Sequence, residues 1–361
     1  MTRPLYRLPE GVADKPSEDC HHGLWYDKFC NVWSREWQLK TAGNDENPKL
    51  TWIKSVAGRV GSDQALSEFT QRMFDLVTKR GGAAVVATAQ SRFVTGLGRS
   101  HPVENGFAWH PTLGVPYLPG SSLKGLTRAW AQSKYSKDEV DQLLGKPGHT
   151  SGVAFLDAVP IRSVELEPDV LTPHYANWSE NDLPGDWRSP TPVPFLVAAR
   201  GLSMLVGMVP LTKSHGEQVE MAWKWLTSAL EEFGAGAKTA LGYGEFRAER
   251  DHSFLQNLEK KRREREAMAT PEGRWRHRLR GRSEDELLEA VLDHLIKTPL
   301  PDPEERRAFA KVILEKGMVS AWRKGVPHDP QRTRAQSKKK LKERAKAVQA
   351  AVEELDAEPP S

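Results

Sequence analysis

Gly114-Val115-Pro116-Tyr117-Leu118-Pro119-Gly120-Ser121-Ser122-Leu123-Lys124-Gly125-Leu126-Thr127-Arg128 is a turn-forming stretch that runs into a helix and carries two cations four residues apart. Far downstream, Gly234-Ala235-Gly236-Ala237-Lys238-Thr239-Ala240-Leu241-Gly242-Tyr243-Gly244 sets glycines and one lysine after a second helix. Glycine lets a backbone approach a bulky partner, and free N–H groups beside a cation suit an anion. Two such elements point to a nucleic-acid backbone rather than a single small phosphate.

Working outward, Asp63 to Arg80 has an apolar stripe of Leu66, Phe69, Met73, Phe74 and Val77, and Gly81-Gly82 ends that helix. Strands are expected over 83–94 and 152–159, with one or two more over 193–210, bent near Gly201. The helix after Pro119 reaches about Tyr135 and turns Leu123, Leu126, Trp130 and Ala131 inward. Another spans 218–233, with Val219, Ala222, Trp223, Leu226 and Leu230 inward, and a last strand covers 243–248. The proline-bearing stretch 160–192, with Trp178 and Trp187, reads as an inserted loop. Strand–helix–strand–strand–helix–strand is the order of an α+β, ferredoxin-like (RRM-like) core with insertions. The domain reading is an irregular aromatic segment at 1–55 packing on the core, the core itself at 56–250, and a helical, basic extension at 251–361.

That extension is expected to be all-α. Ser283-Glu284-Asp285-Glu286 forms a capping box, Asp302-Pro303 starts another helix that Gly317 closes, and a basic helix spans roughly Gln331 to Leu355. These helices carry enough apolar residues for a small bundle, the last one excepted. Net charge is +4, yet 251–361 holds 25 Lys+Arg against 20 Asp+Glu, and 1–250 holds 27 against 28. The basic excess lies above all between Trp322 and Lys346, where a solvated helix face is the ordinary alternative to nucleic-acid binding. The sequence has no apolar run long enough for a membrane helix, and its two cysteines, Cys20 and Cys30, exclude a disulfide framework, so a cytoplasmic setting is expected.

At the first glycine element, Gly120, Ser121 and Ser122 would offer helix-start donors, with Lys124 and Arg128 supplying charge. An ordinary capped helix with solvated basic residues fits as well. In the second, Gly234, Gly236, Gly242 and Gly244 cost conformational entropy, and no Walker or dinucleotide spacing is present. A loop laying its backbone on RNA, with Lys238 and Thr239 on phosphate and Tyr243 stacking, stands beside a plain structural turn. Cys20, His21, His22 and Cys30 match no trusted zinc spacing, and neither metal nor cofactor is expected. His110, His149 and His174 are scattered candidates for a general base, Asp157 a candidate for a metal-dependent one, and a packed histidine and a turn-capping aspartate are the plainer readings.

Gly96-Leu97-Gly98, Glu104-Asn105-Gly106, His110 and the 114–125 stretch, followed by 234–244, resemble the RAMP superfamily of CRISPR-associated proteins. With Gly23-Leu24-Trp25-Tyr26-Asp27-Lys28, the similarity runs over roughly 21–250 and is greatest to the sixth-subunit family of type III-B Cmr effector complexes. The resemblance implies a ferredoxin-like, non-catalytic RNA-binding subunit that caps a backbone filament near the crRNA 3′ region. Its partners would be crRNA, target RNA and the other effector subunits, with no membrane. Carried over, Lys124 and Arg128 would sit by the RNA and 234–244 would line its path. The rival reading is a RAMP endoribonuclease that cuts repeat RNA without metal, using His110 or His149.

Overall fold

Ser203 to Pro210 is an unbroken small and apolar run, and every one of its residues is buried, as expected of a strand covered on both faces. In the computed structural model, which describes residues 20–34, 38–39, 47–172, 192–212, 215–329 and 337–353, this strand lies inside the main sheet. The chain forms α1 (His22–Lys28), α2 (Pro48–Val56), β1 (Gly58–Val60), α3 (Asp63–Lys79) and β2 (Ala83–Ala89). A short hairpin of β3 (Ser100–His101) and β4 (Glu104–Asn105) precedes α4 (Gly120–Gln132) and α5 (Lys137–Leu144). Then come β5 (Val153–Phe155), β6 (Val159–Pro160), β7 (Val164–Leu171), β8 (Val193–Ala198) and β9 (Ser203–Pro210). α6 (Gly216–Glu232) and β10 (Phe246–Glu249) complete this part.

The main sheet is antiparallel, ordered β10-β2-β9-β5, with β6 also pairing with β9. Side-chain alternation divides the core into two layers. Met204, Val206 and Met208 of β9 and Val85, Ala87 and Ala89 of β2 join the α4 and α6 side, with Leu123, Trp130, Ala222 and Leu226. Leu205 and Val86 face the other way, onto Met73 of α3, Leu255 and Leu258. The molecule is therefore mixed α/β with antiparallel sheets.

A second antiparallel sheet, β1-β7-β8, corrects the reading of 160–192 as a loop, because residues 164–171 are a strand. Residues 173–191, including His174, Trp178 and Trp187, lie outside the described residues. The expected strand over 152–159 is two short ones, interrupted at 156–158, and the last strand begins only at Phe246. The bend at Gly201, φ +89°, passes the chain from β8 in one sheet to β9 in the other. α1 packs its Tyr26 ring on His101 at 4.1 Å, and burial holds that imidazole down to a pKa of about 4.

The chain divides into two compact units, one ending at Leu258 and the other starting at Glu259. α7 (Ser253–Ala269) crosses that boundary, and α8 (Pro271–Arg278), α9 (Glu284–Val291), α10 (Pro303–Glu315), α11 (Val319–Lys324) and α12 (Lys338–Glu353) follow. Ser283 and Glu286 cap α9 reciprocally, and Gly317 closes α10 at φ +75°. The sequence reading leaves the last helix outside the bundle. Instead α12 buries Leu341, Ala345, Val348 and Ala351 among Leu287, Val291, Phe309 and Trp322. No helix among the described residues is long and apolar enough to cross a membrane.

Candidate nucleic-acid interface

The start of α4 is closed by a residue distant in sequence. Pro119 is the N-cap residue and supplies no side-chain cap, while Ser121 and Ser122 lie exposed in the first turn. Asp157 accepts the Gly120 N–H at 2.7 Å. The Gly120 donor expected to face a ligand is thus taken by a carboxylate from the β5–β6 connection, which meets part of the helix's positive end. A Cβ at Gly120 would come 2.2 Å from the Phe155 carbonyl oxygen, so this glycine serves a close backbone approach within the protein.

Arg128 is engaged as well. It pairs with Asp141 of α5 at 2.8 Å and donates to the Gly145 carbonyl, fastening α5 to α4. Lys124, one turn earlier, has no ion pair among the described residues. Burial first, and the neighbouring Arg128 charge second, hold its ammonium below the usual lysine value. An anion beside Lys124 would reverse the second effect. Lys124 lines a groove of about 670 Å³ with Ser121, Lys146, His149, Thr150 and Phe155. Lys146, His149 and Thr150 are exposed there.

The 234–244 loop folds back on its own backbone. Ala235 N–H donates to Gly244 O at 2.7 Å, Ala237 N–H to Val94 O at 2.8 Å, and Gly244 N–H to Arg92 O at 2.8 Å. These donors are consumed inside the protein and do not form an open cradle. Tyr243, expected to stack on a base, instead donates its hydroxyl to Asp169 at 2.8 Å and packs edge-on against Phe195. Burial, then the Asp169 bond, pushes its pKa up to about 12. Arg92 holds Asp169 and Glu167 at 3.1 and 3.0 Å, so that corner is electrostatically closed.

An exposed tip remains. Lys238 adopts a left-handed conformation, φ +60°, and Thr239–Leu241 make one 3-10 turn ending at Gly242. Lys238, Ala240, Leu241 and Gly242 are exposed, Thr239 is half-buried, and Lys238 has no ion pair among the described residues.

The two elements share a neighbour. Val94 accepts the Ala237 N–H, and the adjacent Thr95 hydroxyl donates to Tyr117 O at 3.2 Å, three residues ahead of Gly120. Residues 92–95 therefore bond both to the glycine loop and to the approach to α4. Gly234 and Gly244 are buried by this packing, while Gly236 lies exposed against Phe93 and Val94.

The histidines differ in role. His110 Nδ1 accepts from the Leu113 N–H at 3.3 Å, and its ring stands edge-on to Phe69 and Tyr117, so it braces a turn. Burial lowers its pKa while Asp157 opposes that shift. His149 is the exposed one, in the Lys124 groove. His21 uses both ring nitrogens, accepting from Leu24 N–H at 2.9 Å and donating to Pro111 O at 2.9 Å. His22 Nδ1 donates to Cys20 O at 3.0 Å, and no cluster of metal-ligating side chains occurs among the described residues.

Sequence reasoning missed a cleft of about 280 Å³ walled by Arg59, Arg162 and Arg200. No motif marks these arginines, because only the pairing of β1, β7 and β8 brings them together.

Residues 86–247 match the family model of the RAMP superfamily, a span that contains both glycine elements. The Cmr6 subunit of Pyrococcus furiosus is 27% identical over 43% of this chain and 64% of its own length. The chain is Cmr6-like in sequence, and its match to the RAMP superfamily runs through the main sheet. The Cmr6 subunit of Saccharolobus solfataricus is also 27% identical, over 28% of this chain and 34% of its own. The chain thus spans less than two thirds of the length of either curated relative. A type III-B Cmr-beta structure bound to cognate target RNA aligns with 56% of this chain and 71% of its own, at 23% identity and a TM-score of 0.48. The crystal structure of Pyrococcus furiosus Cmr6 aligns with 46% of this chain and 97% of its own, at 25% identity and a TM-score of 0.33. The RAMP span takes in α4, α6, β5 and β9 and reaches into β2 and β10; α1, α2, α3 and the helices from α7 onward lie outside it.

Proposed function

We propose that this chain is a non-catalytic, RNA-binding subunit of a type III-B CRISPR effector ribonucleoprotein, capping its backbone filament near the crRNA 3′ region. In this reading the main sheet is a ferredoxin-like core, with β2, β5, β9 and β10 as its four strands and α4 and α6 as its two helices. crRNA, target RNA and sibling subunits are its partners, and the cytoplasm is its setting. The supporting observation is a pair of lysines with no ion pair among the described residues, Lys124 in a groove and Lys238 on an exposed tip. Such cations hold phosphates without reading bases, leaving sequence recognition to guide–target pairing.

The Lys124→Ala, Lys238→Ala double variant is expected to bind single-stranded RNA at least tenfold more weakly in a fluorescence titration. Each charge-assisted hydrogen bond from a lysine to phosphate contributes about 1.5 kcal/mol or more. Unchanged affinity together with unchanged assembly into the effector would reject this site. Arg128→Ala acts differently, by loosening α5, since Asp141 and Gly145 hold that guanidinium.

The exposed His149 beside Lys124 supports a second reading, an endoribonuclease using it as general base. Metal-free incubation with repeat RNA separates the two. Cleavage products that vanish in His149→Ala would replace the non-catalytic reading.

A further inference from the structure

The helical unit pairs some of its cations and leaves others exposed. On α7 and α8 four arginines are matched: Arg262 with Glu259 and Glu266, Arg263 with Glu259, Arg274 with Glu305, and Arg276 with Glu315. On α11 and α12, Arg323, Lys324, Lys338, Lys339, Lys340, Lys342 and Lys346 are all exposed, and none has an ion pair among the described residues. Only Glu343 stands exposed among the α12 lysines as an opposing charge.

Helix geometry orders these charges. With Leu341, Ala345 and Val348 turned into the bundle, Lys338, Lys342 and Lys346 follow one another along a single outward stripe, with Lys339 beside it. Each four-residue step advances about 6 Å along the axis, the scale on which phosphates succeed one another along a strand. Arg344 is the exception that fixes the helix: it points inward and donates to Leu288 O at 2.8 Å. Gly325, which ends α11 at φ +77°, lies so close to Lys338 that a Cβ there would come 2.2 Å from the lysine Cγ. The end of α11, with Arg323 and Lys324, therefore continues the stripe.

We propose that the outward face of α11 and α12 is a second RNA-binding surface, which grips the phosphate backbone without sequence preference. It extends the RNA-binding reading to a unit outside the RAMP span and does not depend on the Lys124 groove. Neighbouring like charges repel, and this run of exposed lysines without carboxylate partners among the described residues stands where a polyanion can neutralise it. A membrane surface fits less well. A membrane-surface helix buries an apolar face in lipid, whereas α12 spends its apolar face on the bundle, and no large apolar side chain is exposed on it.

The test uses the full chain with Lys338, Lys342 and Lys346 all changed to Gln, titrated with a single-stranded RNA oligonucleotide across a salt series. The slope of log affinity against log salt is expected to fall by about 2, at about 0.7 for each phosphate no longer neutralised. The matching Lys→Arg variant should keep the wild-type slope. If wild type and the Gln variant bind RNA with equal slopes, the surface is overturned while the groove reading stands. If the slope falls here but Lys124→Ala and Lys238→Ala change nothing, the groove reading fails and this surface survives. Loss of binding to anionic phosphatidylserine vesicles with an unaltered RNA slope would also overturn it.

Discussion

Gly244→Ala is expected to destabilise the N-terminal unit by about 3 kcal/mol or more, while Gly242→Ala, two residues away, costs only about 1–2 kcal/mol. Both glycines are left-handed, with φ of +71° and +86°, so both variants incur the backbone strain. They differ in surroundings. A Cβ at Gly244 would lie 1.9 Å from the Ala235 carbonyl oxygen, whereas one at Gly242 meets nothing within 4 Å. Relieving that overlap pulls Gly244 away from Ala235 and Arg92, and breaks the two backbone bonds that close the loop. Chemical denaturation of the two variants checks the difference. Equal losses would mean that the loop absorbs a methyl group and is not held by its own backbone. Because the same packing presents Lys238, Gly244→Ala should also weaken RNA binding without removing a cation.

Glu284→Ala carries the second large effect. This glutamate is buried, and its carboxylate accepts from Trp322 Nε1 at 2.7 Å, His328 N–H at 2.7 Å and Asp329 N–H at 2.9 Å. It therefore fastens the end of α11 and the segment after it to the start of α9. Alanine leaves three donors short of a partner, a loss of about 3 kcal/mol or more. Amide hydrogen exchange should rise across peptides from α9, α11 and α12 and stay unchanged in the main sheet. Glu284→Gln, which keeps one acceptor oxygen, should lose roughly half as much. Wild-type protection in the alanine variant would show that the bundle does not depend on this carboxylate.

What could be read from the sequence follows from how local each cause is. The α3 stripe of Leu66, Met73 and Val77 and the apolar run of β9 express their periods directly, and both elements are where those periods put them. β7 was missed because Pro168 and three acidic residues disguise it. Pro168 is tolerated because β1 pairs only with Val164 to Leu166, so β7 is an edge strand at the proline and bonds there with β8 alone. α5 was missed although Ser136 and Glu139 form a capping box that the sequence displays.

Those two omissions explain the corrections at the site. The partner of Arg128 is Asp141 on α5, and the partner of Tyr243 is Asp169 on β7. The cap of α4 comes from Asp157, 37 residues away, and no local pattern announces it. Lys124 and Lys238 are left without carboxylate partners among the described residues. The donors expected from the glycine backbones turned out to serve the fold.

Ultraviolet crosslinking of crRNA to the assembled effector particle, followed by mapping of the modified peptides of this chain, tests most directly whether the lysine groove and the loop tip lie on one RNA path. Adducts are expected in the peptides carrying Lys124 and Lys238, and both should disappear when the two lysines are replaced. Adducts found only elsewhere in the chain, with both peptides unmodified in an intact particle, would contradict it.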